Sequence, residues 1–312
     1  MKNQSSVTEF YLVGLSSRPE HQMFLFVVFI FIYMAALAGN ILIILTVTAN
    51  GSLHTPMYFL LINLSLINIL SISVSVPKML LNLLEHRKTI SFLGCIAQIC
   101  LFTWTLGSEA LVLAAMAFDR YAAICHPLHY TLIMRREVCV GLIAGVWIAG
   151  VTNSAVHTGL VLQLSFRCST IINHFFCELP PVLRLSSSDT SLNEALASLS
   201  DTIFGIGGCA ITLMSYYFIL RTILKIHSPE GKKKAFSTCS SHLIVVSLYY
   251  STAIYTYVHP SSPYSPDRDK VITVLYSVIT PALNPIIYSL RNKEVREALR
   301  KLIRRLGLFQ RQ

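Results

Sequence analysis

The stretch "FLFVVFIFIYMAALAGNILIILTV", Phe24–Val47, holds 24 residues and not one charge. As a helix rising about 1.5 Å per residue it covers about 36 Å, enough to cross roughly 30 Å of hydrocarbon. It is longer than the apolar core of a secretory leader, and no A-x-A-like site follows it. It therefore reads as a first membrane span rather than a cleaved signal.

Stretches of the same kind recur at Met57–Val76, Ile96–Ala117, Val138–Leu164, Leu196–Leu220, Ala235–Val258 and Val271–Leu290. Each is close to the roughly 20 residues that a helical span needs. Short strands of alternating polarity, which a membrane barrel requires, are absent from the pattern. Charged residues make up 13% of the 312 residues, against about 25% in soluble domains. So apolar a chain also argues against reading its net charge of +10 as a nucleic-acid surface. The expectation is an all-α membrane protein: a seven-transmembrane helix bundle with a short amphipathic cytoplasmic eighth helix. One domain fills 1–312, with an extracellular N-terminus (1–23), the bundle (24–290) and a cytoplasmic helix and tail (291–312).

Seven spans put the termini on opposite sides. One side collects Arg120, Arg135, Arg136, Arg221, Lys225, Lys232–Lys234 and eight more basic residues from Arg291 to Arg311. That is 16 Lys and Arg against 9 opposite, with 5 acidic residues against 9 and Glu109 inside the membrane. The basic side is expected in the cytoplasm and the N-terminus outside, at the plasma membrane. Asn3-Gln4-Ser5 then forms a glycosylation sequon on the outer side, whereas Asn63-Leu64-Ser65 lies within the second span. Beyond the seventh span, Asn292 offers a helix cap. Val295, Leu299, Leu302, Ile303 and Leu306 recur at helical spacing opposite Arg300, Lys301, Arg304 and Arg305, a basic amphipathic helix suited to an anionic inner leaflet of membrane lipid.

The eight cysteines sort by the same topology. Cys125, Cys139 and Cys239 fall near cytoplasmic ends, where thiols stay reduced, and Cys100 and Cys209 lie within the membrane. Cys95, Cys168 and Cys177 face the oxidising side, where three thiols make one bridge and leave one over.

Helical rise also measures depth. Glu109 sits about 15 Å inside the cytoplasmic boundary, Asn68 about 18 Å, Asn40 about 14 Å and Asn284 about 10 Å. A single intramembrane amide ordinarily just bonds a neighbouring helix. Four polar side chains at one depth point instead to a polar layer, with Glu109 as its proton or cation site. Pro281 and Pro285 interrupt the seventh helix beside Asn284, as a hinge or a static kink. A second polar device closes the third span, in "MAFDRYAAICHPLHY" (116–130), where Asp119 and Arg120 end an apolar run. Charges there are costly enough to need a function.

At these residues a family resemblance enters. Gly39-Asn40, "PMYFLLINLSL" (56–66), "MAFDRYAAICHPLHY", "KAFSTCSSHL" (234–243) and "PALNPIIYSLRN" (281–292) resemble the rhodopsin-like G-protein-coupled receptors, and more narrowly the vertebrate olfactory receptors. The resemblance implies that Asp119 holds Arg120 at rest. On activation Arg120 turns to a heterotrimeric, stimulatory olfactory-type G protein that raises cyclic AMP, with Tyr216 and Tyr288 swinging in and Asn284-Pro285 flexing. It implies a Cys95–Cys177 disulfide, and because Ser187 stands where the family has the cysteine that would pair with Cys168, Cys168 is expected as a free thiol unless it pairs between molecules. It places a small volatile odorant among Phe102, Thr103, Leu106, Gly107, Phe204, Tyr250, Ala253, Ile254, Tyr257 and Ser277. It implies no cofactor and no nucleic-acid partner.

The chain departs from the family pattern at three places. Asn68 stands where the second span usually carries an aspartate, which leaves Glu109 as the layer's only carboxylate and any sodium ion there weakly held. Phe118 replaces a tyrosine beside the Asp119–Arg120 pair, and Ser187 replaces a loop cysteine. Asp201, near the outer end of the fifth span, is either a ligand contact or a charge in the outer water layer. No metal cluster, phosphate-binding glycine loop or catalytic triad is evident, so an enzyme is not expected. The competing functions are a receptor of the same fold for a metabolite outside the nose, and an ion-coupled transporter relaying through Glu109. Transporters commonly show internal repeats, and none is found.

Overall fold

Eight main helices organise the computed structural model, which describes residues 7–16, 18–85, 87–166, 169–258 and 266–305. They are α1 (Pro19–Ala49), α2 (Pro56–Leu84), α3 (Phe92–Cys125), α4 (Arg136–Val161), α5 (Ser191–Lys225), α6 (Pro229–Val258), α7 and α8 (Lys293–Arg305). The seventh runs as Pro266–Val274, a π-helical stretch Leu275–Ile279, and Thr280–Arg291. Six of the first seven are long and apolar enough to cross a membrane. The remaining one, α6, is 30 residues long and opens with the Lys232–Lys234 run. The bundle is that of a multi-pass membrane protein, as the seven apolar stretches predict.

Most helices outrun their apolar stretches, because capping sets the ends. Pro19 and Pro56 open α1 and α2 where a missing N–H costs nothing. Ser91 caps α3 by accepting from the Gly94 N–H at 3.1 Å. The outward faces are apolar, with Phe31 72% exposed, Leu213 65% and Ile148 65%. In water such a surface would be an aggregation liability, whereas against lipid it is the matched one.

Inside, α3 packs on α2, α4 and α5, and α1 packs on α2 and α7. Two glycines permit the tightest approaches. A Cβ on Gly39 would lie 2.8 Å from the Pro285 Cβ, so Gly39 is what lets α1 meet the Pro285 face of α7. A Cβ on Gly150 would collide with Ser108 Oγ and crowd Trp104, so α4 meets α3 there without a side chain between them. Asn63 of the second sequon is buried, donating to Phe59 O and accepting from Trp147 Nε1 at 3.1 Å, which makes it a packing residue.

One end of the bundle carries a cap that hydropathy did not predict. Three strands, β1 (Glu9–Leu12), β2 (Thr89–Ser91) and β3 (Ile171–Ile172), form a small sheet in the order β2-β1-β3. The pair β1–β2 is antiparallel, with Phe10 opposite Ile90, and β1–β3 is parallel, with Leu12 opposite Ile172. Strand alternation sends Phe10 and Leu12 inward, both almost fully buried. Cys95 and Cys177 are bonded beneath this sheet, joining α3 to the loop that supplies β3. Gln98 reinforces the junction, accepting from the Cys177 N–H at 2.9 Å and donating to Val74 O at 3.0 Å. Asn3 and Cys168, expected as a glycan acceptor and a free thiol, lie outside the described residues.

At the opposite end α8 begins as predicted. Asn292 Oδ1 accepts from the Glu294 and Val295 N–H groups at 3.0 and 3.3 Å. Tyr58 of "PMYFL" donates to Glu294 at 2.7 Å and accepts from Asn292 Nδ2 at 3.0 Å, pinning α8 to α2. Val295 and Ala298 are buried, and Arg300 and Lys301 are exposed. Leu306 lies outside the described residues.

Candidate functional site

Under the disulfide-bonded end lies a cavity of about 230 Å³ walled by α3, α4, α5, α6, α7 and the loop after Cys177. Phe102, Thr103, Leu106, Gly107 and Phe204 of the expected ligand set line it. Gly107 faces the Phe204 ring, which a Cβ at that position would touch at 3.4 Å.

Two expected lining residues turn elsewhere. Tyr250 points between α3 and α5, where its hydroxyl lies 3.4 Å from Thr212 Oγ1 and fills the space over Gly208. Its neighbour Tyr249 takes the cavity wall and donates to Leu106 O at 3.1 Å. Ser277 is buried and spends its proton on Thr273 O at 2.6 Å, one turn back on its own helix, leaving Tyr276 to face the cavity. Successive helical side chains point about 100° apart, so a one-position offset decides which of a pair faces the cavity. The side chains of Ala253, Ile254 and Tyr257 lie outside the described residues.

The wall also carries polar groups the sequence did not single out. Glu178, next to the disulfide, accepts from Tyr276 Oη and, at 3.4 Å, from Thr273 Oγ1. Burial pushes its carboxyl up to about 7, and the Tyr276 and Thr273 hydrogen bonds only partly offset this. His174 lies 3.8 Å away, stacked on Phe175, and burial pushes its imidazole down to about 4. Across the cavity, Asn153 and His157 on α4 meet Ser200 on α5. Asp201 is solvent-exposed and also lines the cavity.

Midway along the bundle the three asparagines of the expected layer form a chain. Asn284 Nδ2 donates to Asn68 at 3.4 Å, Asn68 donates to Asn40 at 3.1 Å, and Asn40 donates to Pro281 O at 3.1 Å and Ala36 O at 2.8 Å. The bond to Pro281 O answers the backbone carbonyl left free by Pro285 and ties α1 to α7, while the bond to Ala36 O stays within α1. Glu109 is 2% exposed, and its Oε1 has no hydrogen-bond partner among the described residues. No hydrogen bond among those residues joins it to the asparagines, so the layer is an amide chain with a separate carboxyl.

The Asp119–Arg120 pair lies at the α8 end. Arg120 donates to Asp119 Oδ2 from Nε at 3.1 Å and from Nη2 at 2.7 Å. Asp119 is fully buried and Arg120 nearly so. The other carboxylate oxygen, Oδ1, accepts from Tyr130 Oη at 2.7 Å. Tyr130 stands on a one-turn helix, Tyr130–Ile133, and burial together with the Asp119 charge raises the pKa of its phenol. Phe118 brings no hydroxyl to this pair; Tyr130, eleven positions beyond Asp119, supplies one.

Tyr216 and Tyr288 stand near Arg120 and make no hydrogen bond with it among the described residues. Tyr216 Oη lies 2.7 Å from His242 Nδ1, while His242 Nε2 is 3.1 Å from Leu113 O. A backbone carbonyl only accepts, so His242 donates from Nε2, and Tyr216 donates to Nδ1. His242, from the "KAFSTCSSHL" stretch, thereby links α3, α5 and α6. Tyr288 is buried, with its hydroxyl unpartnered among the described residues.

Comparison with known proteins gives one answer along the chain. The family model described as "Olfactory receptor" matches residues 29–305. Human olfactory receptor 13A1 is 50% identical over 302 residues, covering 97% of this chain and 92% of that protein. Human olfactory receptor 13G1 is 48% identical over 300 residues, covering 96% and 98%. Mouse olfactory receptor 5G25 is 48% identical over 298 residues, covering 96% and 94%.

Proposed function

Because this chain belongs to the olfactory receptor family, a family of odorant receptors and not of enzymes, we propose that its cavity takes a small, mostly apolar odorant and that its Arg120 end engages a stimulatory, olfactory-type G protein. The observation that carries this reading is the layout of α3. One helix supplies Phe102, Leu106 and Gly107 to the cavity and, within its last two turns, Asp119 and Arg120 to the buried ion pair. A cavity of about 230 Å³ with largely apolar walls suits a small volatile molecule. The ion pair tied by Tyr130 is the closed state of a latch, and Tyr216 and Tyr288 are placed to meet Arg120 once it is released. Ligand and G protein then favour each other by the same factor.

In this reading the basic end, with α8, faces the cytoplasm, and the disulfide with its three-stranded cap faces outside. Loop charge supports that orientation, as does a disulfide at the opposite end. The test is a cyclic AMP reporter screen against a diverse odorant panel, run beside Arg120→Ala. Wild type should respond to at least one agonist, and the variant should reach the surface normally and stay silent. A variant whose signal falls only in step with its surface level refutes the role of Arg120. Ligand-driven ion current or uptake without cyclic AMP would favour the transporter reading.

A further inference from the structure

We propose that the α4–α5 wall of the cavity reads a hydrogen-bond donor on the ligand through His157, selecting small apolar molecules that carry one O–H or N–H group. This deepens the odorant-receptor reading and rests on it. The argument follows the protons. Ser200 has a single hydroxyl proton, and it is donated to Asn153 Oδ1 at 2.7 Å. The contact between Ser200 Oγ and His157 Nε2 at 2.9 Å must then be a donation from the ring. Nε2 therefore carries the hydrogen.

His157 is 2% exposed and lines the cavity, and its other nitrogen, Nδ1, is buried with no partner among the described residues. A protonated ring would bury an uncompensated charge and an unmade donor together. The neutral ring instead leaves a lone pair on Nδ1. A buried acceptor left unpaired costs free energy; a ligand donor that the ring turns to meet recovers it, and an isosteric ligand without that proton does not.

Three hydroxyls of the wall bias the site the same way. Tyr249 spends its proton on Leu106 O, Tyr276 spends its own on Glu178, and Thr252 donates to Tyr249 O. Asp201 and Glu178 add carboxyl oxygens to the lining. A ligand carboxylate would meet these oxygens and the Nδ1 lone pair, which repel it.

The experiment uses the full-length receptor at the cell surface and odorant alcohols paired with their methyl ethers: hexanol, octanol and phenylethanol. Wild type should respond to an alcohol at about tenfold lower concentration than to its ether, a difference of about 1.4 kcal/mol. His157→Phe keeps a flat ring and loses the acceptor, so the two potencies should converge while the ether response persists. Ser200→Ala frees the imidazole to place its hydrogen on Nδ1 and should shrink the preference too. It carries the test if His157→Phe fails to reach the surface. Equal potency of alcohol and ether in wild type, or a preference that survives in the variants, overturns the inference. Silence to these pairs while a broader odorant panel finds agonists overturns it and leaves the odorant reading in place. Silence to both overturns both.

Discussion

Tyr130→Phe isolates one hydrogen bond of the proposed latch. The substitution keeps the ring and its packing and removes only the donor that lies 2.7 Å from Asp119 Oδ1. Asp119 keeps both bonds from Arg120, so no buried charge is orphaned. A hydrogen bond to a charged group is worth about 1.5–3 kcal/mol. Tyr130 is only partly buried and water recovers some of that, so about 1–1.5 kcal/mol is a fair figure for its loss. If the bond exists only while the latch is closed, its removal raises the ratio of open to closed receptor by about five- to tenfold. A receptor about 1% open at rest becomes about 5–10% open, and ligand-free cyclic AMP should rise in proportion. The assay is basal reporter signal divided by surface receptor, at several expression levels. Basal signal that stays level or falls, with normal surface expression, would show that Tyr130 bonds Asp119 equally in both states or is irrelevant to the latch.

Three further outcomes follow from the packing and the charges. Gly39→Ala pushes a methyl group against Pro285 and should destabilise the bundle by about 1–3 kcal/mol, read as a lower melting temperature in detergent; an unchanged melt would mean α1 and α7 part freely. The pKa of Glu178 is raised from 4.5 to about 7, so its folded form holds its proton more tightly and its contribution to stability falls as pH rises through that window. The pKa of His174 is lowered from 6.5 to about 4, and stability gained there as pH rises opposes the change. The difference in melting temperature between wild type and Glu178→Gln should therefore fall from pH 4.5 to 7, and a flat or rising difference would contradict the buried carboxyl. Glu109→Gln keeps the shape of a buried side chain that no asparagine hydrogen-bonds among the described residues, so basal signalling and its response to sodium should change little. A large shift in either would place a working charge at that position.

Much of the fold is legible because the membrane is a strict solvent. A stretch such as Phe24–Val47 has no alternative to a helix, and loop charge orders the spans. The adjacency of Asp119 and Arg120 made the ion pair legible, and counting turns along straight helices placed Asn40, Asn68 and Asn284 at one depth. The misses have a common physical origin. Tyr130 reaches Asp119 around a turn, and no periodicity records that. Tyr249 and Tyr250 are neighbours, and only packing decides which one faces the cavity. Glu109 shares the asparagines' depth but joins none of their hydrogen bonds, since depth says nothing about rotation around the axis. The strands of the cap are two to four residues long, too short for alternation to stand out. His157 and Ser200 acquire meaning only from each other, 43 positions apart.

The two π-helical stretches bear on how such a chain changes over generations. Asp201–Gly207 and Leu275–Ile279 sit at the height of the cavity, one on each of two of its walls. A π turn holds one residue more than an α turn, as if a single codon had been inserted and the helix had bulged to absorb it. Ordinarily an insertion rotates everything beyond it by about 100° and ruins the packing of a helix. Where a bulge takes up the extra residue, the chain on either side keeps its phase. Deleting one residue within Asp201–Gly207 would let the turn close to α geometry, leaving Tyr216 and the Arg120 end in register. The cavity wall can thus gain or lose a side chain in one mutational step while the Arg120 end stays as it was.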